Sequence, residues 1–127
     1  LVDIDPARVA NTLSMIEAEG GSARVFTGDI TQQKVAKEMI SYAVDCFGGL
    51  DILVNNLGVM FHGNVLTASE YDWEESYRLN VQSMIYSSKY AIPGNTFVSA
   101  PGGDRHFNFI VIRIYHRIYP QLAPPPT

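Results

Sequence analysis

Over the first 94 residues, short continuous apolar stretches alternate with segments in which apolar residues recur every three or four positions. Short apolar stretches predict strands that end near Asp3 and Thr27 and a third strand from about Asp51 to Asn55. The segments between them carry apolar residues every three or four positions, which predicts amphipathic helices. Strands and helices in regular alternation are typical of a parallel α/β sheet with right-handed crossovers.

Capping residues and glycines delimit the first two predicted helices. Asp5 precedes Pro6, so we expect Asp5 to cap a helix whose first position tolerates proline. Gly20-Gly21 ends this helix, because glycine adopts the left-handed cap conformation without strain. Thr31 is the predicted cap of the second helix, which Gly48-Gly49 ends. The predicted apolar faces of the two helices are Val9, Leu13 and Ile16, and Val35, Met39, Ile40, Ala43 and Phe47.

A third helix is predicted from about Tyr71 to Tyr90. Thr67 and Glu70 have the spacing of a capping box, in which a hydroxyl and a carboxylate close the first turn. Pro93-Gly94 is expected to end the helix. One face of it carries Trp73, Tyr77, Val81, Met84, Ile85 and Ser88.

The stretch from Leu50 to Gly58 is the centre of the predicted fold. Its apolar residues are too few for a helix and favour a strand that is covered on both faces. Asn55, Asn56 and Gly58 then end the strand abruptly. Ligands of open parallel sheets bind at the carboxyl ends of strands, so we expect a bound molecule first at this place.

Composition changes after Gly94. Residues 1–94 carry 6 Lys+Arg and 12 Asp+Glu, whereas residues 95–127 carry 3 Arg, 1 Asp and five of the seven prolines. We therefore predict a domain over residues 1–94 and a divergent tail over residues 95–127. In the tail we expect one strand within Phe107–Tyr115, followed by a proline-rich, disordered end.

Charge and cysteine content narrow the class of protein. The net charge of −4 does not favour a nucleic-acid partner. A single cysteine, Cys46, excludes an internal disulfide and fits a cytoplasmic protein, and we expect it to pack near a helix end. No apolar run approaches the roughly 20 residues of a membrane span. We expect no metal site and read the histidines His62, His106 and His116 as surface residues.

Four short motifs, in order, resemble the short-chain dehydrogenase/reductase family. They are the strand-ending Asp3, Gly28-Asp29-Ile30-Thr31, Asn55-Asn56-Leu57-Gly58 and Leu79-Asn80-Val81. Each motif is weak alone, but the four share the family's spacing within its α/β alternation. The resemblance implies a Rossmann-like parallel sheet with helices on both faces. It also implies NAD(P)-dependent hydride transfer on a small alcohol or carbonyl substrate.

The resemblance assigns the adenosine side of the cofactor to three residues. Asp3 would accept hydrogen bonds from the ribose and repel a 2′-phosphate, which favours NAD over NADP. Asp29 and Ile30 would flank the adenine, the first through its carboxylate and the second through its backbone. The alternatives are an ordinary turn aspartate for Asp3 and a helix-capping carboxylate for Asp29.

The remaining implied site residues follow the third strand and lie in the third helix. Asn55, Asn56 and Gly58 would bind the cofactor, although the two asparagines could also only join neighbouring strands. Leu57 stands where the family has alanine, and its larger side chain leaves less room for the cofactor there. Asn80 is the implied catalytic residue, which holds a water of the proton relay. The alternative is a polar side chain that faces solvent.

Several family features are not in this sequence. There is no glycine-rich turn, and no tyrosine is followed four residues later by lysine. General acid–base catalysis contributes typically ~100 to 10,000-fold, so we expect this chain to be inactive by itself. The start at Leu1 favours missing sequence upstream. The family's first strand belongs between the strands that end at Asp3 and Asn55, so a gap is expected there unless the tail strand or another chain fills it.

Two functions follow from this pattern. The first is an interior part of an NAD-dependent oxidoreductase, which pairs as a homo-oligomer if the helix with Trp73 is used as in the family. The alternative is a non-catalytic Rossmann-fold remnant that binds a partner through exposed sheet edges and the proline-rich tail. The substrate is not readable from the sequence.

Overall fold

A computed structural model describes residues 1–61, 63–94 and 109–113, with backbone only for residues 94 and 109–113. The strands are β1 (Val2–Asp3), β2 (Phe26–Thr27), β3 (Ile52–Asn56) and β4 (Phe109–Arg113). The helices are α1 (Pro6–Ala18), α2 (Gln33–Phe47), α3 (Glu70–Tyr77) and α4 (Ser83–Gly94). A π-helical segment, Arg78–Gln82, joins α3 to α4. The predictions for the three histidines and for the proline-rich end lie outside the described residues.

The four strands form one parallel sheet in the order β2-β1-β4-β3. Val2 pairs with Phe26 on one side and with Ile112 on the other. Along β3, Ile52 pairs with Phe109, and the register continues to Asn56 and Arg113. The Rossmann-like α/β class is confirmed. The C-terminal strand, which lies within the predicted range, occupies the gap that the resemblance predicts between the first and third strands.

The core lies between the sheet and helices α2 and α4. Met39 and Ile40 of α2 and Ala91 of α4 are buried, as is Ile30 before α2. Burying an aliphatic side chain of this size contributes about 1.5–3 kcal/mol, so this cluster dominates the stability of the fold. Among the residues whose side chains are described, the cluster comprises Val2, Ile30, Met39, Ile40, Ala43, Leu50 and Ala91, with Phe26, Leu53, Leu57 and Tyr90 packed against it.

Strand β3 is covered on one face only, so the prediction of cover on both faces is wrong. Leu53 packs against the core, whereas Ile52 and Val54 are 37% and 39% exposed. Side chains alternate between the two faces of a strand, which places Ile52 and Val54 together on the open face. Helix α4 contacts β3 on the Leu53 side, and no other described helix covers the opposite face.

The first helix begins as predicted, but the second does not. The Asp5 carboxylate accepts a hydrogen bond from the Ala7 amide, with Pro6 as the first helical residue. In α2 the capping residue is Gln32, which makes no side-chain capping bond. Thr31 was predicted there, but its hydroxyl donates to the Asp29 carboxylate instead.

The third helix begins with a different capping box from the predicted one. The Ser69 hydroxyl accepts a hydrogen bond from the Asp72 amide at 3.2 Å, and the Asp72 carboxylate accepts one from the Ser69 amide at 3.1 Å. Thr67 and Glu70 were predicted in these roles. The Thr67 hydroxyl instead accepts a hydrogen bond from the Asn64 amide in the preceding turn.

Two further details differ from the predicted helices. Cys46 is exposed, because the buried face of α2 ends one turn earlier at Ala43. The third helix is not uniformly α-helical, since the π-helical segment interrupts it, and Pro93 lies inside its last turn. Within the described residues, no helix has the length and apolar character needed to cross a membrane.

Candidate functional site

Parallel strands bring the predicted cofactor residues to one edge of the sheet. We call the side where the strands end the carboxyl edge. Asp3 ends β1, Asp29 follows β2 by two residues, and Asn55 and Asn56 end β3. The Gly28 amide donates to the Asp3 carbonyl at 3.2 Å, which joins the first two of these turns.

Asp3 is a buried carboxylate with one hydrogen bond inside the turn. Asp3 is only 3% exposed. Its Oδ1 accepts a hydrogen bond from the Asp5 amide at 2.9 Å. A buried carboxylate requires hydrogen-bond donors, and its second oxygen has none among the described residues. Asp3 therefore helps to hold the turn through one oxygen, and its second oxygen is not bonded to any described residue.

Asp29 is held by its own loop and by an arginine. Its Oδ1 accepts from the Thr31 amide at 3.0 Å and from the Thr31 hydroxyl at 2.6 Å, and its Oδ2 lies 3.5 Å from Nη1 of Arg78. Burial raises the pKa of Asp29, but the bonds from Thr31 and Gln32 and the Arg78 charge outweigh it and lower the pKa. The carboxylate is thus ionised at neutral pH and can only accept hydrogen bonds.

Arg78 connects this loop to the third helix, and the sequence analysis did not identify it. Its Nε and Nη2 donate to the two Glu75 carboxylate oxygens at 2.7 and 2.8 Å, and its Nη1 donates to the Thr31 hydroxyl. The hydrogen bonds from Arg78 lower the pKa of Glu75. In the local sequence, Arg78 is indicated only by the i, i+3 spacing of Glu75 and Arg78, which is typical of a helical ion pair. The contact with Thr31 spans 47 residues and has no local signal.

Asn80 fixes the loop that follows β3. Its Oδ1 accepts from the Val59 amide at 2.7 Å, and its Nδ2 donates to the Val59 carbonyl at 2.9 Å and to the Ser76 hydroxyl at 3.1 Å. Both amide protons are therefore committed, whereas Oδ1 can accept one more bond. Asn80 is half-buried.

Arg78 and Asn80 both belong to the π-helical segment. The Ser83 amide donates to the Arg78 carbonyl, five residues earlier, instead of four as in an α-helix. The buried Ser83 hydroxyl donates to the Leu79 carbonyl at 2.6 Å, which satisfies a group near the disturbed turn. Single π-helical turns inside α-helices are frequent at functional sites. Here one such turn carries the side chains that hold two loops of the carboxyl edge.

A cavity of about 530 Å³ opens beside Asn80. This volume is within the range of small-molecule sites. Its walls come from the loop after β3 and from α3, and they are mostly apolar. Among the lining residues are Val59, Met60, Phe61, Asn64, Trp73 and Asn80.

The remaining predicted residues have different environments. Asn55 is exposed and its Nδ2 donates to the Ser88 hydroxyl at 3.4 Å, while Asn56 is also exposed. A Cβ at Gly58 would meet Oδ1 of Asn80 at 3.8 Å, which is ordinary contact, so packing within the chain does not require glycine there. Leu57 packs against the core. Ile30 is buried in the core.

Among the residues that the structure describes, no group of three His, Cys, Asp or Glu side chains could hold a metal ion. The carboxylates of Asp3 and Asp29 lie near the ends of β1 and β2, where they can accept hydrogen bonds from hydroxyl or amino groups. The cavity beside Asn80 is lined mostly by apolar residues.

Comparison with known proteins gives consistent matches. The family model described as short chain dehydrogenase matches residues 1–104. An uncharacterized oxidoreductase of Thermotoga maritima is 37% identical over 90 residues, which cover 71% of this chain and 35% of the relative. The CLA biosynthesis dehydrogenase/reductase of Lactiplantibacillus plantarum is 30% identical over 93 residues, covering 73% of this chain and 32% of the relative. This chain thus spans about a third of the length of these relatives.

Solved structures match with similar coverage. The NADH-dependent reductase A1-R' complexed with NAD has a TM-score of 0.64 and 30% identity, over 73% of this chain and 39% of that one. A short chain dehydrogenase from Burkholderia cenocepacia in complex with NADP has a TM-score of 0.68 and 26% identity, over 74% of this chain and 39% of that one. Both nicotinamide dinucleotides thus occur among the structural relatives.

Proposed function

Because the chain belongs to the short-chain dehydrogenase family, we propose that it forms part of an NAD(P)-dependent oxidoreductase. In this proposal the chain contributes the adenosine-binding edge and the Asn80 segment of a site for hydride transfer on a small alcohol or ketone. The observation that supports it best is the meeting of the Asp3 turn, the Asp29 loop and the end of β3 at one edge of a parallel sheet.

The adenosine half of a dinucleotide fits the groups at the carboxyl edge. The second oxygen of Asp3 can accept a ribose hydroxyl, because only the first is bonded to Asp5. The ionised Asp29 carboxylate can accept the adenine amino group, and the backbone of Ile30 lies next to it. A carboxylate at Asp3 would repel a 2′-phosphate, so we propose NAD as the preferred cofactor.

Asn80 suits a role in holding a water molecule near the nicotinamide. Its two amide protons are used by Val59 and Ser76, so the side chain is rigidly oriented. The remaining lone pair of Oδ1 can accept a hydrogen bond from water beside the cavity. The cofactor would supply the hydride, while Asn80 would orient the water and keep the Val59 loop in place.

Turnover by this chain alone is not expected. No tyrosine has a lysine four residues later, so the acid–base pair of the family pattern is not supplied by this sequence. We therefore expect no oxidation of alcohols and no reduction of ketones above background when the absorbance of reduced nicotinamide is followed. A measured enzymatic rate would contradict this part of the proposal.

Cofactor titration tests the binding part. The purified chain is titrated with adenosine, NAD and NADP, by calorimetry and by the fluorescence of Trp73, which lines the cavity. We expect adenosine and NAD to bind weakly and NADP more weakly still. Asp3→Asn should reduce the difference between the two dinucleotides. Tighter binding of NADP than of NAD, or no binding of adenosine, would contradict the proposed adenosine site.

A non-catalytic binding module is the second candidate, and the exposed apolar surface favours it. Large side chains on α3 and α4 face solvent: Trp73, Tyr77, Met84 and Ile85 are between 43% and 59% exposed. Exposed apolar patches of this kind often mark interaction sites. A folded chain that is bound to a partner and lacks activity would support this candidate, whereas hydride transfer would eliminate it.

A further inference from the structure

Arg78 reaches the Asp29 carboxylate through a shared hydroxyl group. Nη1 of Arg78 donates to the Thr31 hydroxyl, and that hydroxyl donates its single proton to Oδ1 of Asp29 at 2.6 Å. The same Nη1 lies 3.5 Å from Oδ2, so the guanidinium also faces the second carboxylate oxygen. A charged donor strengthens the bonds of such a chain, and the direction of the Thr31 proton is fixed because Arg78 donates to the same oxygen.

Glu75 holds the guanidinium in the orientation that this chain of bonds requires. The two Glu75 carboxylate oxygens accept from Nε at 2.7 Å and from Nη2 at 2.8 Å, which leaves Nη1 for the loop. A bidentate pair of this kind fixes the plane of the guanidinium. The third helix therefore holds a side chain that acts on a loop 47 residues earlier in the chain.

We propose that Arg78 is a positioning residue that determines how selectively the Asp29 loop binds an aminopurine. The inference rests on the proposed function, which assigns the adenine amino group to the Asp29 carboxylate. It goes beyond that function because Arg78 acts through Thr31 and Asp29 and belongs to none of the motifs on which the resemblance depends. Selectivity for an amino group requires an ionised carboxylate in one fixed orientation, since an ionised carboxylate only accepts hydrogen bonds.

The bonds of the Asp29 carboxylate determine where an amino group can bind. Oδ1 accepts from the Thr31 amide at 3.0 Å and from the Thr31 hydroxyl, so both lone pairs of that oxygen are used. The amino group must therefore bind at Oδ2, the oxygen that faces Arg78. The Gln32 side chain also donates to the carboxylate, but it is exposed, so a ligand can replace it. Without Arg78, the carboxylate loses its charged neighbour and the fixed direction of the Thr31 bond, and it can turn away from the base.

Two nucleosides that differ only in the amino group test the inference. Adenosine and purine riboside, which lacks the amino group, are titrated by calorimetry into the full chain as wild type, Arg78→Met and Arg24→Met. We expect wild type to bind adenosine at least about tenfold more tightly than purine riboside, as a hydrogen bond to a charged acceptor implies. In Arg78→Met the two affinities should become nearly equal, whereas a merely structural loss would weaken both nucleosides alike and keep their ratio.

Arg24→Met is the matched control. Arg24 is an exposed arginine that precedes β2, whereas Asp29 follows the other end of that strand. Nη1 of Arg24 donates to the neighbouring Ala23 carbonyl at 2.9 Å. The same chemical change at this position should keep the ratio of the two affinities at the wild-type value.

The possible outcomes separate this inference from the proposed function. Equal affinities of wild type for the two nucleosides, or an unchanged ratio in Arg78→Met, would overturn the inference while adenosine binding itself stands. No binding of adenosine by wild type would overturn the proposed adenosine site and this inference with it. If circular dichroism shows that Arg78→Met does not fold, Thr31→Val takes its place, because valine lacks the hydroxyl that joins Arg78 to Asp29. Its ratio should also fall, and a wild-type ratio would overturn the inference.

Discussion

The side-chain amide of Asn80 pairs in both directions with the backbone of Val59. Oδ1 accepts from the Val59 amide at 2.7 Å, and Nδ2 donates to the Val59 carbonyl at 2.9 Å. The two residues are 21 positions apart in the chain. The loop after β3 is therefore fixed by a side chain of the π-helical segment.

Removal of this pair should destabilise the fold. Asn80→Ala leaves both backbone groups of Val59 without their partner in a half-buried place, at a cost of about 1–3 kcal/mol in the free energy of unfolding. Asn11→Ala, on the exposed side of α1, is the matched control and should change stability little. Urea unfolding followed by circular dichroism measures both. Equal unfolding midpoints for the two variants would contradict the role of the pair.

The Arg78 network predicts acid sensitivity. The pKa values of Asp29 and Glu75 are lowered in the folded chain, so their ionised forms stabilise the fold above the unfolded pKa values, roughly 3.9 and 4.3. This stability is lost as the pH falls through the lowered folded pKa values. The urea midpoint of Arg78→Met should be lower than that of wild type at neutral pH. It should also decrease less than that of wild type when the pH is lowered.

Lys34→Met is the control for that experiment. It removes a positive charge from an exposed i, i+4 pair with Glu38, in which the lysine side chain is 87% exposed. Exposed pairs of this kind contribute little to stability. The pH dependence of the urea midpoint of Lys34→Met should therefore match that of wild type. An equal pH dependence in Arg78→Met and wild type would contradict the stabilising role of Arg78.

Removal of one hydroxyl group, that of Ser69, tests the capping box of α3. Ser69→Ala removes the group that accepts from the Asp72 amide, and the loss of such a cap costs typically about 1 kcal/mol. Ser41→Ala changes an exposed serine inside α2 and serves as control, because alanine is the better helix former there. Thermal unfolding compares the two. A melting temperature of Ser69→Ala at or above that of Ser41→Ala would show that the box does not stabilise the helix.

Strand β4 should be essential for the sheet. Val111→Pro removes a backbone N–H from a strand that is paired on both sides, whereas Val111→Ala keeps the backbone and shortens only the side chain. We expect the proline variant to lose hydrogen-exchange protection at Leu53 and Val54 and the alanine variant to keep it. Full protection in the proline variant would show that β3 does not depend on β4.

Local sequence signals predicted those parts of the fold that depend on neighbours in the chain. Asp5 and Pro6 gave the start of α1, and Gly48 ends α2 in the left-handed conformation at φ 78°. The predicted capping box was wrong because Thr67 and Ser69 each have an acidic residue three positions later. Only the turn with Asn64, which uses the Thr67 hydroxyl, decides between them.

Sequence motifs could suggest candidate site residues but not the contacts between them. Asp3, Asp29 and Asn80 could be named from motifs, because each motif is a few residues long. The contacts of Arg78 with Thr31 and of Asn80 with Val59 join distant segments, and no periodicity encodes them. The open face at Val54 was missed for the same reason, since burial depends on which elements cover a strand.

The position of β4 has a consequence for how the protein is made. Among the four described strands, the inner strand β4 follows β1 and β3 in the chain, so both are synthesised before it. Until Phe109–Arg113 emerges, the two earlier strands have no partner between them. Nascent chains with unpaired strands are prone to wrong associations, so β1 and β3 should be vulnerable to such associations until β4 is synthesised.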